Sequence, residues 1–132
     1  MRSRRGFMGC ALCAAVGLVA TGAQAQPAGG VTRTMIGTID YPGDGKVSIL
    51  MTVELAPNAV IARHTHPGVE SSVVMEGEVM LEVQGQPART YKAGEGFQVP
   101  PGVPHGGKNG PATSKLAATY IVEKDKPLAS PA

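Results

Sequence analysis

The chain has 132 residues and a formal net charge of +2, with three histidines and two cysteines. Three of its arginines lie in the first 25 residues, and without them nine basic residues stand against ten acidic ones, a net charge of −1. This balance excludes a basic nucleic-acid-binding surface, and the length predicts one domain.

Residues 1–25 are typical of a secretory signal peptide. A basic start precedes an apolar run rich in Gly and Ala, and residues 23–25, Ala-Gln-Ala, form a small-x-small cleavage site. We therefore expect a mature chain that begins at Gln26 and is periplasmic or secreted. An uncleaved anchor is the alternative, although the apolar run is short for a membrane span. Residues 3–7, Ser-Arg-Arg-Gly-Phe, resemble a twin-arginine export signal, with ordinary Sec export as the alternative.

Both cysteines, Cys10 and Cys13, belong to this signal. The mature chain therefore has no disulfide and no thiolate metal ligand. A domain of this size without disulfides gains from a bound metal or from oligomerisation. After removal of the signal we expect no association with a membrane.

Residues 26–132 predict an all-β domain, a single small antiparallel β-barrel or jelly roll. Short runs rich in β-branched residues alternate with Gly- and Pro-containing turns. Their near-regular spacing is typical of small barrels and sandwiches. The predicted extended runs are 32–40, 46–55, 60–66, 70–77, 78–85, 88–96, 97–105 and 115–124, and residues 125–132 are predicted to be a tail.

Residues 70–85 predict a hairpin that turns at Gly77. One face of this hairpin is apolar and would point toward the core, while the other is acidic and would face water. The apolar set is Val73, Met75, Val79, Leu81 and Val83, and the acidic set is Glu76, Glu78 and Glu82.

The histidines indicate a possible metal site. His64 and His66 share one face of an extended segment, because side chains alternate with period two, and Glu70 follows a Pro-Gly bend. Two imidazoles and a carboxylate suit Mn, Fe, Co, Ni, Cu or Zn. His105 follows a Pro-Pro-Gly turn and would start a strand that a barrel can bring near. Spacing alone leaves an ordinary polar cluster equally open.

The two histidine segments resemble the paired motifs of the cupin superfamily. The first motif, G-x5-H-x-H-x3-E-x6-G, matches residues 58–77, and the second, G-x5-P-x-G-x2-H-x3-N, matches residues 94–109. Asn58 stands where the first motif has glycine, and asparagine tolerates the same left-handed turn. The motifs cover about half of the mature chain, and the resemblance implies a small cupin barrel.

Carried over to this chain, the resemblance implies that His64, His66, Glu70 and His105 bind one divalent transition metal, Fe, Mn, Ni, Cu or Zn. Open coordination positions would then bind a small-molecule substrate. We expect a metal-dependent enzyme of the dioxygenase type, with Glu70 as a candidate proton shuttle. A non-redox isomerase or lyase, a non-catalytic periplasmic module for a small ligand or a metal, and a purely structural metal are the alternatives.

Two further expectations concern the pocket and the oligomer. Candidates for an apolar pocket lining are Met35, Met51, Met75, Met80 and Phe97, with ordinary core packing as the alternative. The sequence contains no cluster of arginines or lysines that indicates a sugar-nucleotide site. We expect a homodimer, with the first strand and the last strand, residues 117–122, as candidate contacts.

Overall fold

The computed structural model describes residues 28–43 and 45–132, so the predicted signal at residues 1–25 lies outside the described part of the chain. A 3₁₀ turn (Ala28–Gly30) precedes ten strands. They are β1 (Val31–Tyr41), β2 (Lys46–Leu55), β3 (Val60–Thr65), β4 (Gly68–Glu76), β5 (Glu78–Val83), β6 (Arg89–Lys92), β7 (Gly96–Val99), β8 (His105–Asn109), β9 (Ser114–Glu123) and β10 (Ser130–Pro131). In this part of the chain no helix has the length and the apolar character that a membrane crossing requires.

The strands form two antiparallel five-stranded sheets, in the orders β1-β2-β9-β4-β7 and β10-β3-β8-β5-β6. The core lies between them and draws fully buried residues from both, such as Val74 on β4 and Val79 on β5. In β9 every second residue is buried, from Ser114 to Val122, so one face of this central strand points into the core. The jelly-roll prediction is confirmed.

The predicted hairpin at Gly77 is wrong. β4 pairs with β7 and β9, whereas β5 pairs with β6 and β8, so the chain crosses from one sheet to the other at this glycine. Val79 and Leu81 are buried as expected, but Val73 is 40% and Met75 47% exposed. The core-facing parity in β4 is instead that of Glu70, Ser72 and Val74, because the two strands do not share one pleated surface.

The crossing depends on Gly77 itself. Its φ of 78° lies in the left-handed region, and a Cβ atom there would overlap the Ser114 side chain. Asn58 has a φ of 58°, which confirms that asparagine adopts the left-handed turn at the position where the cupin motif has glycine.

Residues 117–122, one of the two predicted dimer contacts, belong to β9 and not to an edge strand. β9 lies between β2 and β4, so both of its edges are already paired, whereas β1 is an edge strand. The predicted tail also differs from expectation. Residues 130–131 form β10, which pairs with Thr65 and His64 of β3.

Candidate metal centre

The structure brings together all four residues singled out by the sequence. One potential ligand atom from each of His64, His66, Glu70 and His105 lies within 4.8 Å of the others. His66, Glu70 and His105 are buried, and His64 is partly exposed. The cluster therefore could hold a metal ion.

The first two histidines project from the end of β3. His64 Nδ1 donates a hydrogen bond to the Ala62 carbonyl at 2.6 Å, and His66 Nδ1 donates to the Leu128 carbonyl at 2.6 Å. A carbonyl oxygen can only accept, so each Nδ1 carries the proton of a neutral ring. The Nε2 lone pairs are thereby turned toward the cluster, with the two Nε2 atoms 3.1 Å apart.

His105 begins β8, as the Pro-Pro-Gly turn before it predicts. It pairs with His64 across the β3–β8 ladder, and its Nδ1 donates to the Val103 carbonyl at 2.9 Å. The turn is fixed to the first motif, because the Gly102 amide donates to the His66 carbonyl at 3.0 Å. The two motifs therefore share hydrogen bonds as well as a site.

Glu70 enters from the opposite sheet, near the start of β4. Its Oε2 lies 2.9 Å from His105 Nε2 and 3.0 Å from His66 Nε2, and its Oε1 accepts a hydrogen bond from Ser72 Oγ at 2.8 Å. Burial alone would raise the pKa of the Glu70 carboxyl. The contacts with His105, His66 and Ser72 outweigh burial and hold this pKa well below its usual range, so the group is a carboxylate.

The imidazoles next to this carboxylate differ in their affinity for a proton. Burial lowers the pKa of His64, and the neighbouring histidines lower it further, against a hydrogen bond to Ala62 that raises it. Burial also opposes the charged form of His105, but its contact with Glu70 outweighs burial and raises its pKa. Without a metal, His105 is therefore the ring that takes up a proton more readily than His64.

The donor set fits a metal. With each Nδ1 protonated in a neutral ring, three Nε2 lone pairs and one carboxylate oxygen face one another, so the contacts of the rings with Glu70 become hydrogen bonds only when a ring takes up a second proton. Such a group of acceptors repels unless a cation lies among them, either a metal ion or extra protons on the rings. Imidazole nitrogens and a carboxylate oxygen are ligands that divalent transition metals accept.

A cavity of about 600 Å³ opens beside the cluster. His64 and His66 line it together with apolar residues of β1, β3 and the segment 127–132. Tyr120 also lines it, with its ring 4.9 Å from the ring of His66. The predicted apolar lining is absent from this cavity, since neither the four methionines nor Phe97 lines it. Met51 lies in the core instead, and Met35 and Met75 are exposed.

Several residues at the site were missed by the sequence analysis. Ser72 lies two positions after Glu70 on the same strand face, and this spacing could have revealed it. Tyr120 lies on β9, where the regular alternation of apolar residues predicts that its side chain is buried but not that it lines a cavity. The Leu128 carbonyl carries no side-chain signal, because the contact is made by backbone.

The comparisons with known proteins agree with this geometry. The Cupin_2 family, described as a cupin domain, matches residues 51–122. This chain belongs to the cupin family. Among curated proteins, no sequence matches this cupin.

Solved structures share the cupin fold. An RmlC-like cupin from Shewanella frigidimarina is 28% identical, with a TM-score of 0.60 over 74% of this chain and 80% of that one. An oxalate oxidase is 25% identical, with a TM-score of 0.61 over 77% of this chain and 55% of that one. The DMSP lyase DddQ of Ruegeria pomeroyi, at 16% identity, has a TM-score of 0.68 over 81% of this chain and 54% of that one, and supports the fold alone. Our cupin thus spans little more than half the length of these two enzymes.

Proposed function

We propose that this cupin is an exported, metal-dependent enzyme of the dioxygenase type that acts on a small organic substrate in the cavity beside His64 and His66. The observation that carries the proposal is the convergence of three Nε2 atoms and one carboxylate oxygen next to an open cavity. A site with only four protein ligands leaves room for a substrate in an octahedral shell. The similarity to an oxalate oxidase supports redox chemistry.

In this proposal His64, His66, Glu70 and His105 hold one divalent ion, Fe, Mn, Ni, Cu or Zn. When bound, the ion supplies Lewis acidity and a template that brings substrate and dioxygen together. The backbone carbonyls keep the three rings oriented. The low pKa of Glu70 favours its role as a ligand over that of a proton shuttle, because a weak base accepts a proton poorly.

A dioxygenase reaction needs no external reductant. A dioxygenase transfers both oxygen atoms to its substrate, and the substrate itself supplies the electrons that reduce dioxygen. The test is metal analysis of the purified protein, followed by oxygen uptake with a panel of enols and diols. Uptake that depends on Fe, Mn, Ni or Cu and disappears in Glu70→Gln supports the proposal. Turnover without oxygen consumption would instead indicate an isomerase or lyase.

A non-catalytic binding module is the second candidate. It is favoured by the short connections between strands, such as the single residue Gly77 between β4 and β5, which leave few loops to build substrate specificity. Tight binding of a ligand by the metal-loaded protein, with no product from any member of the panel, would select this candidate.

Export is part of the proposal. We expect the mature protein in a periplasmic or secreted fraction to begin at Gln26, which intact mass spectrometry determines. Retention of an Arg4→Lys/Arg5→Lys variant in the cytoplasm would identify the twin-arginine route, and normal export of this variant the Sec route.

We also propose a homodimer through β1. This edge strand exposes Met35, Ile36, Ile39 and Tyr41, with Ile39 73% exposed. Exposed apolar edge strands are commonly covered by a partner. Light scattering should give twice the chain mass for the wild type and the chain mass for Ile39→Lys, and a wild-type monomer would refute the dimer.

A further inference from the structure

The cavity beside the metal centre has an unbalanced charge. Two arginines are among its lining residues, Arg33 of β1 and Arg63 of β3, although these residues are thirty positions apart in the sequence. No Asp or Glu is among its lining residues within 28–43 and 45–132. Glu70 is the nearby acid, and a divalent ion in the cluster would more than neutralise it. A cavity with positive walls and a positive floor attracts an anion.

Arg33 lies on the core-facing side of β1, although the residue itself is exposed. It pairs with Val53, which is 7% exposed and faces the core, and it shares its strand face with the buried Val31. Within the described residues Arg33 has no ion pair and no side-chain hydrogen bond, whereas Arg63 donates to Gln84 at 2.9 Å. The uncommitted guanidinium therefore belongs to Arg33.

We infer that the substrate of this site is a small organic anion bearing a carboxylate, and that Arg33 is the specificity residue that binds this carboxylate. The inference rests on the proposed function, since it places the other end of the same molecule at the metal. Arg forms paired hydrogen bonds with a planar carboxylate, which a neutral group cannot match.

The other walls of the cavity agree with this ligand. The apolar side chains of Val31, Val60 and Leu128 line it and suit a short carbon skeleton between the two polar ends. Tyr120 also lines the cavity, and its phenol can donate a second hydrogen bond.

The test compares acids with their neutral amides. The zinc-loaded protein is titrated calorimetrically with lactate and lactamide, and with 3,4-dihydroxybenzoate and 3,4-dihydroxybenzamide. We expect at least one acid to bind about tenfold or more tightly than its amide. Arg33→Met should reduce that preference to below about twofold and leave the affinity for the amide unchanged, and Arg33→Lys should keep part of it.

Arg89→Met is the matched control, since it removes an exposed arginine of β6 that does not line this cavity, and it should keep the preference. Metal content is measured in every variant, so a loss of the metal centre is recognised separately.

Equal binding of acid and amide by the wild type, absence of binding by all four compounds, or a preference that survives in Arg33→Met would overturn the inference. Selective binding through Arg33 without oxygen uptake would leave the inference intact and refute the dioxygenase proposal. Oxygen-consuming turnover that is equally fast with an acid and with its amide would support the dioxygenase proposal and refute the inference.

Discussion

Two buried polar clusters lie at opposite ends of β8, and they are built in opposite ways. His105 is the first residue of this strand and belongs to the metal cluster, whereas Asn109 is the last. Asn109 Nδ2 donates to three backbone carbonyls, those of Ala56 and Ala112 at 2.8 Å and that of Leu55 at 3.1 Å. Its Oδ1 accepts a hydrogen bond from Ser114 Oγ at 2.7 Å.

The difference shows how a structural cluster is distinguished from a binding site. In the Asn109 cluster, amide and hydroxyl donors face oxygen acceptors, so no ion is needed to stabilise it. In the His105 cluster, acceptors meet acceptors, and only a cation balances them. His105 and Asn109 are both buried and belong to the same cupin motif, so burial and motif membership alone do not separate the two roles.

The largest expected effect is the loss of bound metal when two of the four candidate ligands are removed. We predict that His64→Ala/His66→Ala reduces bound metal from about one ion per chain to near zero. The melting temperature should fall in the presence of metal, because an ion at a thousand times its dissociation constant stabilises the folded state by about 4 kcal/mol. Elemental analysis and calorimetry measure the two effects.

A pair of glutamate variants controls this experiment. Glu70→Gln removes the oxygen ligand, whereas Glu82→Gln makes the same change on an exposed position of β5. Only the former should weaken metal binding. Unchanged metal stoichiometry in the double histidine variant would refute the ligand assignment.

The next effect tests the other end of the strand. Asn109→Ala leaves buried carbonyls without a donor, so we predict a loss of about 2–3 kcal/mol in the free energy of unfolding. Metal affinity measured well below the melting temperature should stay within about twofold of wild type, since no ligand is touched. Denaturant titration and metal competition provide the values, with Lys108→Ala as the exposed neighbour on β8. A loss of metal affinity that equals the loss of stability would mean that the two clusters are not separate.

Local patterns in the sequence predicted one part of this structure, and contacts between distant segments determined the rest. Most strand ranges follow from alternation and from Gly and Pro, and His64, His66, Glu70 and His105 were identified from spacing and the cupin resemblance. The strand pairing around Gly77 was not accessible, because a glycine turn between two apolar runs looks the same in a hairpin and in a crossing between sheets. The place of Arg33 in the cavity lining and the contact of the Leu128 carbonyl with His66 depend on long-range folding, and neither has a local signature.

The segment 127–132 tests how far the metal cluster depends on such a contact. Ending the chain after Pro127 deletes β10 and the Leu128 carbonyl, and so removes the β10 pairing and the bond from His66 Nδ1. Loss of an orienting partner of a ligand weakens metal binding about 10–100-fold. The matched control is Leu128→Ala, which keeps the carbonyl and removes apolar contact with the core. It should lower stability and preserve affinity, and equal affinity of the wild type and the truncated variant would show that the bond does not position His66.

The smallest and most gradual effect is the dependence of metal binding on pH, which should distinguish the two clusters because only one of them titrates. The low pKa of Glu70 keeps its carboxylate charged between pH 5 and 8, so acid acts on the imidazoles. Because the pKa of His105 is raised, this ring is protonated before His64 as the pH falls, and the metal must displace that proton. Metal affinity should therefore decrease from pH 8 to pH 5, and binding should release more protons at lower pH, as calorimetry in buffers of different ionisation enthalpy measures. Affinity that stays flat over this range would contradict histidine ligation, whereas the stability lost in Asn109→Ala should be the same at both ends of it.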